Sequence, residues 1–266
     1  MKSTHGAPYQ TELDAYLAGL DRTLPHDTVV GVYLTGSIAL GDYHHGQSDL
    51  DILALTTRPL HDEELTALDE LHQRLKRETQ PHTDAAYVPR ACVGTLPDVD
   101  AAGQGYVVDG VFRRGGDQQD LVVWAILDLC GVTLRGPEAK TLGAAPDPAA
   151  FRAWNRGNLE EYWHAQATRL RDGLGDRPED ELMPAFFAVW FGTGPGRLHR
   201  TIATGEIISK SASADYTAQL FPAYRDLLAR VKATRAGDES ITYSVRDGLD
   251  LCDLVEGICE DARKIE

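Results

Sequence analysis

Apolar residues follow two different patterns in the first half of the chain. Residues 29–35, 49–55 and 84–88 form short apolar runs, whose length and composition are typical of buried strands. Residues 11–20 and 62–78 instead repeat apolar residues every three or four positions, as amphipathic helices do. The pattern therefore predicts a mixed sheet with flanking helices over this half.

Two further segments complete the first half, and a linker follows them. Residues 106–112 suit a short strand, and residues 119–130 are apolar nearly all round, as in a buried helix. Residues 143–148 contain two prolines and small residues, which favours a linker. We therefore expect an α+β protein with two domains, one over residues 1–145 and one over residues 149–266.

The second half has helical spacing throughout, which predicts an all-α helical bundle. Its glycine-rich segment Gly-Thr-Gly-Pro-Gly, at 192–196, is expected to separate a helix over 180–191 from another over 197–204. Glycine and proline disfavour the interior of a helix, so a break there is the simplest interpretation.

Candidate chemistry is concentrated where the strand over 29–35 ends. Gly36-Ser37 follows this strand, and Asp49-Leu50-Asp51 comes twelve residues later, at the start of the next apolar run. Alternate residues of a strand point to the same face, so Asp49 and Asp51 are expected side by side. Two carboxylates so close repel each other unless a cation lies between them, and hard oxygen ligands suit Mg²⁺.

Gly-Ser followed by Asp-x-Asp on a strand resembles the signature of the nucleotidyltransferase superfold, the DNA polymerase β-like fold. The resemblance implies a nucleotidyltransferase domain over 1–145, in which Gly36 and Ser37 open a helix that faces the phosphates of a nucleotide. Ser48 looks like a second phosphate-side hydroxyl. Asp84 looks like the third acid of the fold, both metal ligand and general base, although it could simply be a polar residue at the start of a strand.

Two later segments resemble aminoglycoside O-adenylyltransferases of the streptomycin/spectinomycin type. Residues 120–137 look like the end of their first domain, and residues 196–216 resemble the Arg-x-x-x-Thr pattern of their helical domain. The resemblance implies metal ligands and nucleotide contacts at specific positions. The implied metal ligands are Asp49, Asp51 and Asp84, and the implied nucleotide contacts are Gly36, Ser37, Ser48, Asp120, Arg197 and Lys210.

The family implies transfer of AMP from ATP to a hydroxyl of an aminoglycoside, with two Mg²⁺ ions as cofactors and pyrophosphate as product. Glu160 and Trp163 are candidate acceptor contacts, although a tryptophan at helical spacing also suits the core. Arg197 could instead pair with a structural acid, and Lys210 could be an exposed charge at a helix start. The alternative functions are adenylylation of a protein or another small molecule, and a non-catalytic nucleotide-binding module.

The amino-acid composition limits the kinds of partner that the protein is expected to bind. The net charge is −15 and no basic stripe is present, which argues against a nucleic-acid substrate and favours a cationic acceptor. No apolar run approaches the roughly twenty residues of a membrane span, and the N-terminal segment has no apolar signal core. We expect a cytoplasmic monomer that does not bind membranes.

Overall fold

The computed structural model describes residues 6–79, 82–96, 98–116 and 120–265. The chain divides into two compact units, Met1–Pro146 and Asp147–Glu266. The start of the N-terminal segment considered for a signal sequence, and Gln119 at the start of the predicted helix over 119–130, lie outside the described residues.

The first unit contains a six-stranded sheet with helices packed on it. Its strands are β1 (Val29–Leu34), β2 (Leu50–Thr56), β3 (Thr83–Pro89), β4 (Gly105–Val108), β5 (Val111–Arg114) and β6 (Val132–Arg135). Its helices are α1 (Gln10–Thr23), α2 (Gly36–Ala39), α3 (Asp62–Glu78) and α4 (Leu121–Cys130). The strand order is β5-β4-β3-β2-β1-β6, in which β2 and β3 are parallel and the other neighbours antiparallel.

Alternation along the central strands sends one set of side chains into the main core of this unit. Leu50 and Ile52 of β2 are buried there with Tyr87 of β3, against the apolar stripes of α1 and α3. The stripe on α3 carries Leu68 and Leu71, at the spacing that the sequence predicts. The intervening residues of β2 and β3 therefore point to the opposite face of the sheet.

One strand prediction for this unit is wrong. The segment 106–112 is not one strand, because the chain turns back between β4 and β5 at Asp109-Gly110. Both turn residues have positive φ, +53° at Asp109 and +67° at Gly110. Asp-Gly is a preferred dipeptide for such two-residue hairpin turns, so the sequence did carry the signal.

The second unit is built mainly from helices around a separate core. Its helices are α5 (Pro148–Gly157), α6 (His164–Leu174), α7 (Ala185–Thr204), α8 (Lys210–Leu220), α9 (Arg225–Arg235) and α10 (Val245–Ala262). A π-helical segment, Asn158–Trp163, joins α5 to α6. The core contains buried residues of α7, α9 and α10, among them Phe191, Val231 and Leu251. The predicted α+β class, with a helical second half, is confirmed.

The helical half also contains two very short strands, β7 (Leu182–Met183) and β8 (Tyr243–Ser244), which pair antiparallel. The expectation of a purely helical second half is wrong at these residues, because each stretch pairs outside any helix, immediately before α7 or α10 begins. Among the helices that the structure describes, none is long and apolar enough to cross a membrane.

The predicted break at 192–196 is also wrong, because α7 continues through Pro195. Tight packing explains why glycine occupies positions 194 and 196. A Cβ at Gly194 would lie 2.1 Å from the indole of Trp163, and one at Gly196 would lie 2.1 Å from the Thr217 hydroxyl. Both distances are far below van der Waals contact, so glycine lets neighbouring elements approach this helix. Tertiary packing therefore outweighs the local helix propensity here.

Candidate active site

The carboxylates of Asp51 and Asp84 lie on neighbouring strands, on the face of the sheet opposite the main core. Parallel pairing of β2 and β3 aligns Asp51 with Asp84, and Leu50 with Thr83. Asp49 immediately precedes β2 and is exposed, while Asp51 and Asp84 are partly buried. A small cleft of about 90 Å³ lies beside them, with Thr35, Asp51, Asp84, Val107 and Val123 among the residues that line it.

The turn from β1 into α2 brings the backbone against one of these carboxylates. Gly36 has φ +51°, which favours glycine, and a Cβ there would lie 1.8 Å from Oδ2 of Asp51. The amide of Ser37 donates a long hydrogen bond of 3.4 Å to the same oxygen. The Gly-Ser pair and the acids of the motif are therefore neighbours in space as well as in sequence.

The two serines of the motif have different surroundings. The hydroxyl of Ser37 is buried and forms no hydrogen bond with any residue that the structure describes. A buried hydroxyl without a partner is costly, so a ligand oxygen at this point would satisfy it. Ser48 is buried, and its hydroxyl accepts a 3.1 Å bond from the amide of His44, which closes the loop over 44–48.

Asp84 has the clearest electrostatic perturbation in the site. Burial raises the pKa of its carboxyl group to about 7, and the negative charges of Asp49, Asp51 and Asp109 add to that increase. The amide of Asp109 opposes the increase, because it donates a 3.1 Å hydrogen bond to Oδ1 of Asp84. A carboxylate with a pKa near neutrality is suited to accept a proton from a hydroxyl.

The sequence interpretation missed Asp109, which lies at the tip of the β4–β5 hairpin. Its amide orients Asp84, and its own carbonyl accepts a 2.8 Å hydrogen bond from Nζ of Lys76. The Asp-Gly turn signal could have located the hairpin. Only the fold brings the hairpin tip to Asp84, so the residue's position in the site depends on tertiary structure.

The donor set suits a hard divalent cation that is shared with a phosphate ligand. Among the described residues, no group of three or more His, Cys, Asp or Glu side chains is arranged to hold a metal ion. Mg²⁺ usually takes only one or two carboxylates and completes its shell with phosphate oxygens and water. Asp49 and Asp51 supply two carboxylates of this kind, and the roles of Asp49, Asp51 and Asp84 as metal ligands stay predictions.

Asp120 lies at the N-terminus of α4. Its Oδ1 accepts hydrogen bonds of 2.8 Å and 2.9 Å from the amides of Val122 and Val123. This is the usual bonding of a helix N-cap, and it gives Asp120 a structural role. Val123, three residues after Asp120, lines the cleft beside Asp51 and Asp84. The nucleotide contact expected of Asp120 stays a prediction.

The remaining predicted site residues belong to the second unit. Arg197 is partly buried within α7, and Lys210 is the exposed first residue of α8. Glu160 is exposed and lies 3.9 Å from Nε of Arg263. Trp163 is only 4% exposed and packs against Trp190 and Phe191, which supports the core interpretation of this ring.

Comparison with known proteins identifies the domain that contains these acids. A sequence model of the nucleotidyltransferase domain matches residues 17–97, which include α2, β2 and β3. The chain contains a nucleotidyltransferase domain. The predicted enzyme class is thereby confirmed. The comparison with curated protein sequences returns no match.

A solved structure shares the fold of nearly the whole chain. It is the spectinomycin adenyltransferase AAD(9) from Enterococcus faecialis, crystallised with ATP and spectinomycin. The TM-score is 0.68 at 14% sequence identity, and the superposition covers 94% of this chain and 99% of the other. The likeness therefore extends beyond the nucleotidyltransferase domain into the helical unit.

Proposed function

We propose that this protein transfers AMP from ATP to a hydroxyl group of a cationic small molecule of the streptomycin/spectinomycin class, with release of pyrophosphate. One observation carries the proposal. Asp51 and Asp84 are in register on parallel strands and line one small cleft, and the Gly36 turn lies against the Asp51 carboxylate. The fold shared with a spectinomycin adenyltransferase supports the choice of ATP and of the acceptor class.

Each part of the first unit would have a definite role. The acceptor hydroxyl attacks the α-phosphorus of ATP, the bond from that phosphorus to the bridging oxygen breaks, and Asp84 takes the hydroxyl proton. The Ser37 hydroxyl would bind a phosphate oxygen, which would satisfy its hydrogen-bonding potential. Mg²⁺ held by Asp49 and Asp51 would neutralise phosphate charge. Gly36 would keep the backbone close enough for its neighbours to make these contacts.

The acceptor preference follows from charge. The chain carries a net charge of −15, which raises the local concentration of cations at its surface. Asp109 is exposed at the hairpin tip whose amide contacts Asp84, and the metal is not assigned to it. An ammonium group of the acceptor would find this carboxylate at the surface beside the base.

The test is pyrophosphate release by the purified full chain with ATP, Mg²⁺ and a panel that contains streptomycin, spectinomycin and other aminoglycosides. We expect release that depends on one of these drugs, with the drug gaining the mass of one AMP. AMP attached to a protein or to another small molecule would favour the alternative acceptor. ATP binding without turnover of any acceptor would contradict the proposal.

Substitution of the base provides a sharper prediction. Asp84→Asn should lower turnover by about 10²–10⁴-fold, because the amide cannot take the proton, while ATP still binds. Asp49→Asn should instead weaken Mg²⁺-dependent ATP binding, measured by calorimetry with and without the metal. The control is Asp27→Asn, an exposed acid in the loop before β1, which should behave as wild type. Near-normal turnover in the Asp84 variant would exclude it as the base.

A further inference from the structure

A second cavity lies wholly within the helical unit, and the proposed reaction makes no use of it. Its volume is about 320 Å³, and it is lined by parts of α6, by Arg177, by Met183 of β7 with the following Pro184, and by the first turns of α7. Pockets that bind small organic molecules start at about this size and are mostly apolar. The cavity is therefore large enough for a bicyclic aromatic compound.

Aromatic rings form one wall of this cavity. Phe187, Trp190 and Phe191 line it, and Trp190 is held between Phe186 on one side and Trp163 on another, at centroid distances of 5.7 Å and 5.3 Å. A ring fixed on several sides loses little freedom when a ligand packs against it, so this wall favours a flat apolar partner.

The charged groups of the cavity are cationic, and Gln166 adds a neutral amide. Arg169 and Arg177 are among its lining residues, and no acid is found among the described residues that line it. Arg177 is already paired with Glu181 at 2.7 Å and also donates to the carbonyl of Leu182. Arg169 is exposed and forms no ion pair with any described residue, so its guanidinium is available to a ligand.

We propose that this cavity binds a flat aromatic anion, such as an aryl carboxylate or aryl sulfonate. The rings of Trp190 and Phe187 would bury the aromatic portion, and the guanidinium of Arg169 would pair with the acid group at the rim. In a chain with a net charge of −15, a cavity whose described lining includes two arginines and no acid disfavours the cationic acceptor. This ligand is thus distinct from the proposed substrate.

The probe is 1-anilinonaphthalene-8-sulfonate, compared with N-phenyl-1-naphthylamine, which has the same rings without the sulfonate. Both are titrated into the full chain and followed by their fluorescence. We expect the sulfonate to bind more tightly than the neutral amine. Arg169→Gln should weaken sulfonate binding by about tenfold or more and leave the neutral amine unaffected, because a hydrogen bond to a charged group is lost. Equal affinity of the two probes for the wild type would overturn the proposal.

A second variant tests the position of the ligand. Gly173 lines the cavity within α6, and a Cβ there meets no other atom within 4 Å, so Gly173→Leu should fill the space without disturbing the fold. Binding of both probes should be lost while the circular dichroism melting curve stays cooperative. Arg225→Gln, at an exposed arginine at the start of α9, is the matched control and should bind both probes as wild type. Unchanged sulfonate binding in the Gly173 variant would place the ligand elsewhere and overturn the proposal.

Discussion

At Gly36 two separate requirements meet in one residue. The backbone has φ +51°, and the position of a side chain is already occupied by the Asp51 carboxylate. Gly41, five residues later, shares the positive φ, +71°, but a Cβ there would meet open space. A comparison of Gly36 with Gly41 therefore separates the cost of a left-handed backbone from the cost of a clash with the Asp51 carboxylate.

We expect Gly41→Ala to lower the free energy of unfolding by about 1–2 kcal/mol, which is the usual cost of a left-handed conformation for a residue with a Cβ. Gly36→Ala should cost more than this and should also abolish nucleotide turnover, because Asp51 must move. Urea unfolding and pyrophosphate release measure the two effects. Equal stability losses in the two variants, with turnover retained in both, would contradict the role given to Gly36.

The residues of the site differ in how far the sequence could locate them. Gly36, Ser37 and Asp51 follow from a local motif, because a strand, a tight turn and a second strand fix their neighbourhood. Asp109 does not, because it reaches Asp84 only through the pairing of β4 with β3. Side chains that meet across non-local strand pairs leave little trace in one sequence.

Between α3 and β3, a buried histidine links two elements of the first unit. His72 is 2% exposed, and its Nε2 lies 2.7 Å from the hydroxyl of Tyr87. Burial lowers the pKa of His72 to about 3, because the charged imidazolium would lose its hydration. The unfolded chain binds a proton at this residue below pH 6.5, whereas the folded chain does not until about pH 3.

The contribution of His72 to stability is therefore present above pH 6.5 and is lost as the pH falls towards 3. At pH 5, about 1.5 pH units below the unfolded pKa, the loss should be about 2 kcal/mol relative to pH 7.5. His72→Gln keeps a hydrogen-bonding partner for Tyr87 and should lack this part of the pH dependence. Urea unfolding of both proteins at the two pH values measures it, and parallel pH profiles would contradict the assignment.

In the helical unit, the packing of α7 depends on glycines at buried positions. Gly194→Ala should destabilise the protein by about 1–3 kcal/mol through overpacking against Trp163. Gly157→Ala, at a helical glycine whose Cβ would meet open space, should instead be neutral or stabilising by up to about 1 kcal/mol. Thermal unfolding of the two variants compares these effects, and equal shifts in Tm would contradict the packing argument.

The sequence predicts best those elements whose signals are local, and it predicts poorly those that depend on contacts with other elements. The amphipathic helix predicted over 62–78 is confirmed, because its leucine stripe and acidic first turn are local signals. The continuous α7 and the short pair β7–β8 depend on contacts with other elements. Their local composition indicates a break or a helix, and only the packed structure reverses that indication.

At the scale of the whole molecule, the excess of acidic residues should govern how a cationic acceptor arrives. Under the proposed function, raising KCl from about 50 to about 400 mM should increase the KM for the acceptor severalfold, because salt screens the long-range attraction. The kcat should change much less, since the bound acceptor is held by short-range contacts. Sucrose at equal osmolality is the control, and an acceptor KM that stays constant across this salt range would contradict the electrostatic argument.

The in-register pairing of β2 with β3 also limits how this enzyme can vary. Because neighbouring strands are spaced about 4.8 Å apart, hydrogen bonding in the sheet sets the separation of the Asp51 and Asp84 backbones, and no loop has to define it. Inserting one residue into either strand would turn its acid into the leucine-rich interior, whereas insertions in the connecting segments would leave both acids where they are. Length variation is thus less tolerable within these two strands than in the segments that connect them.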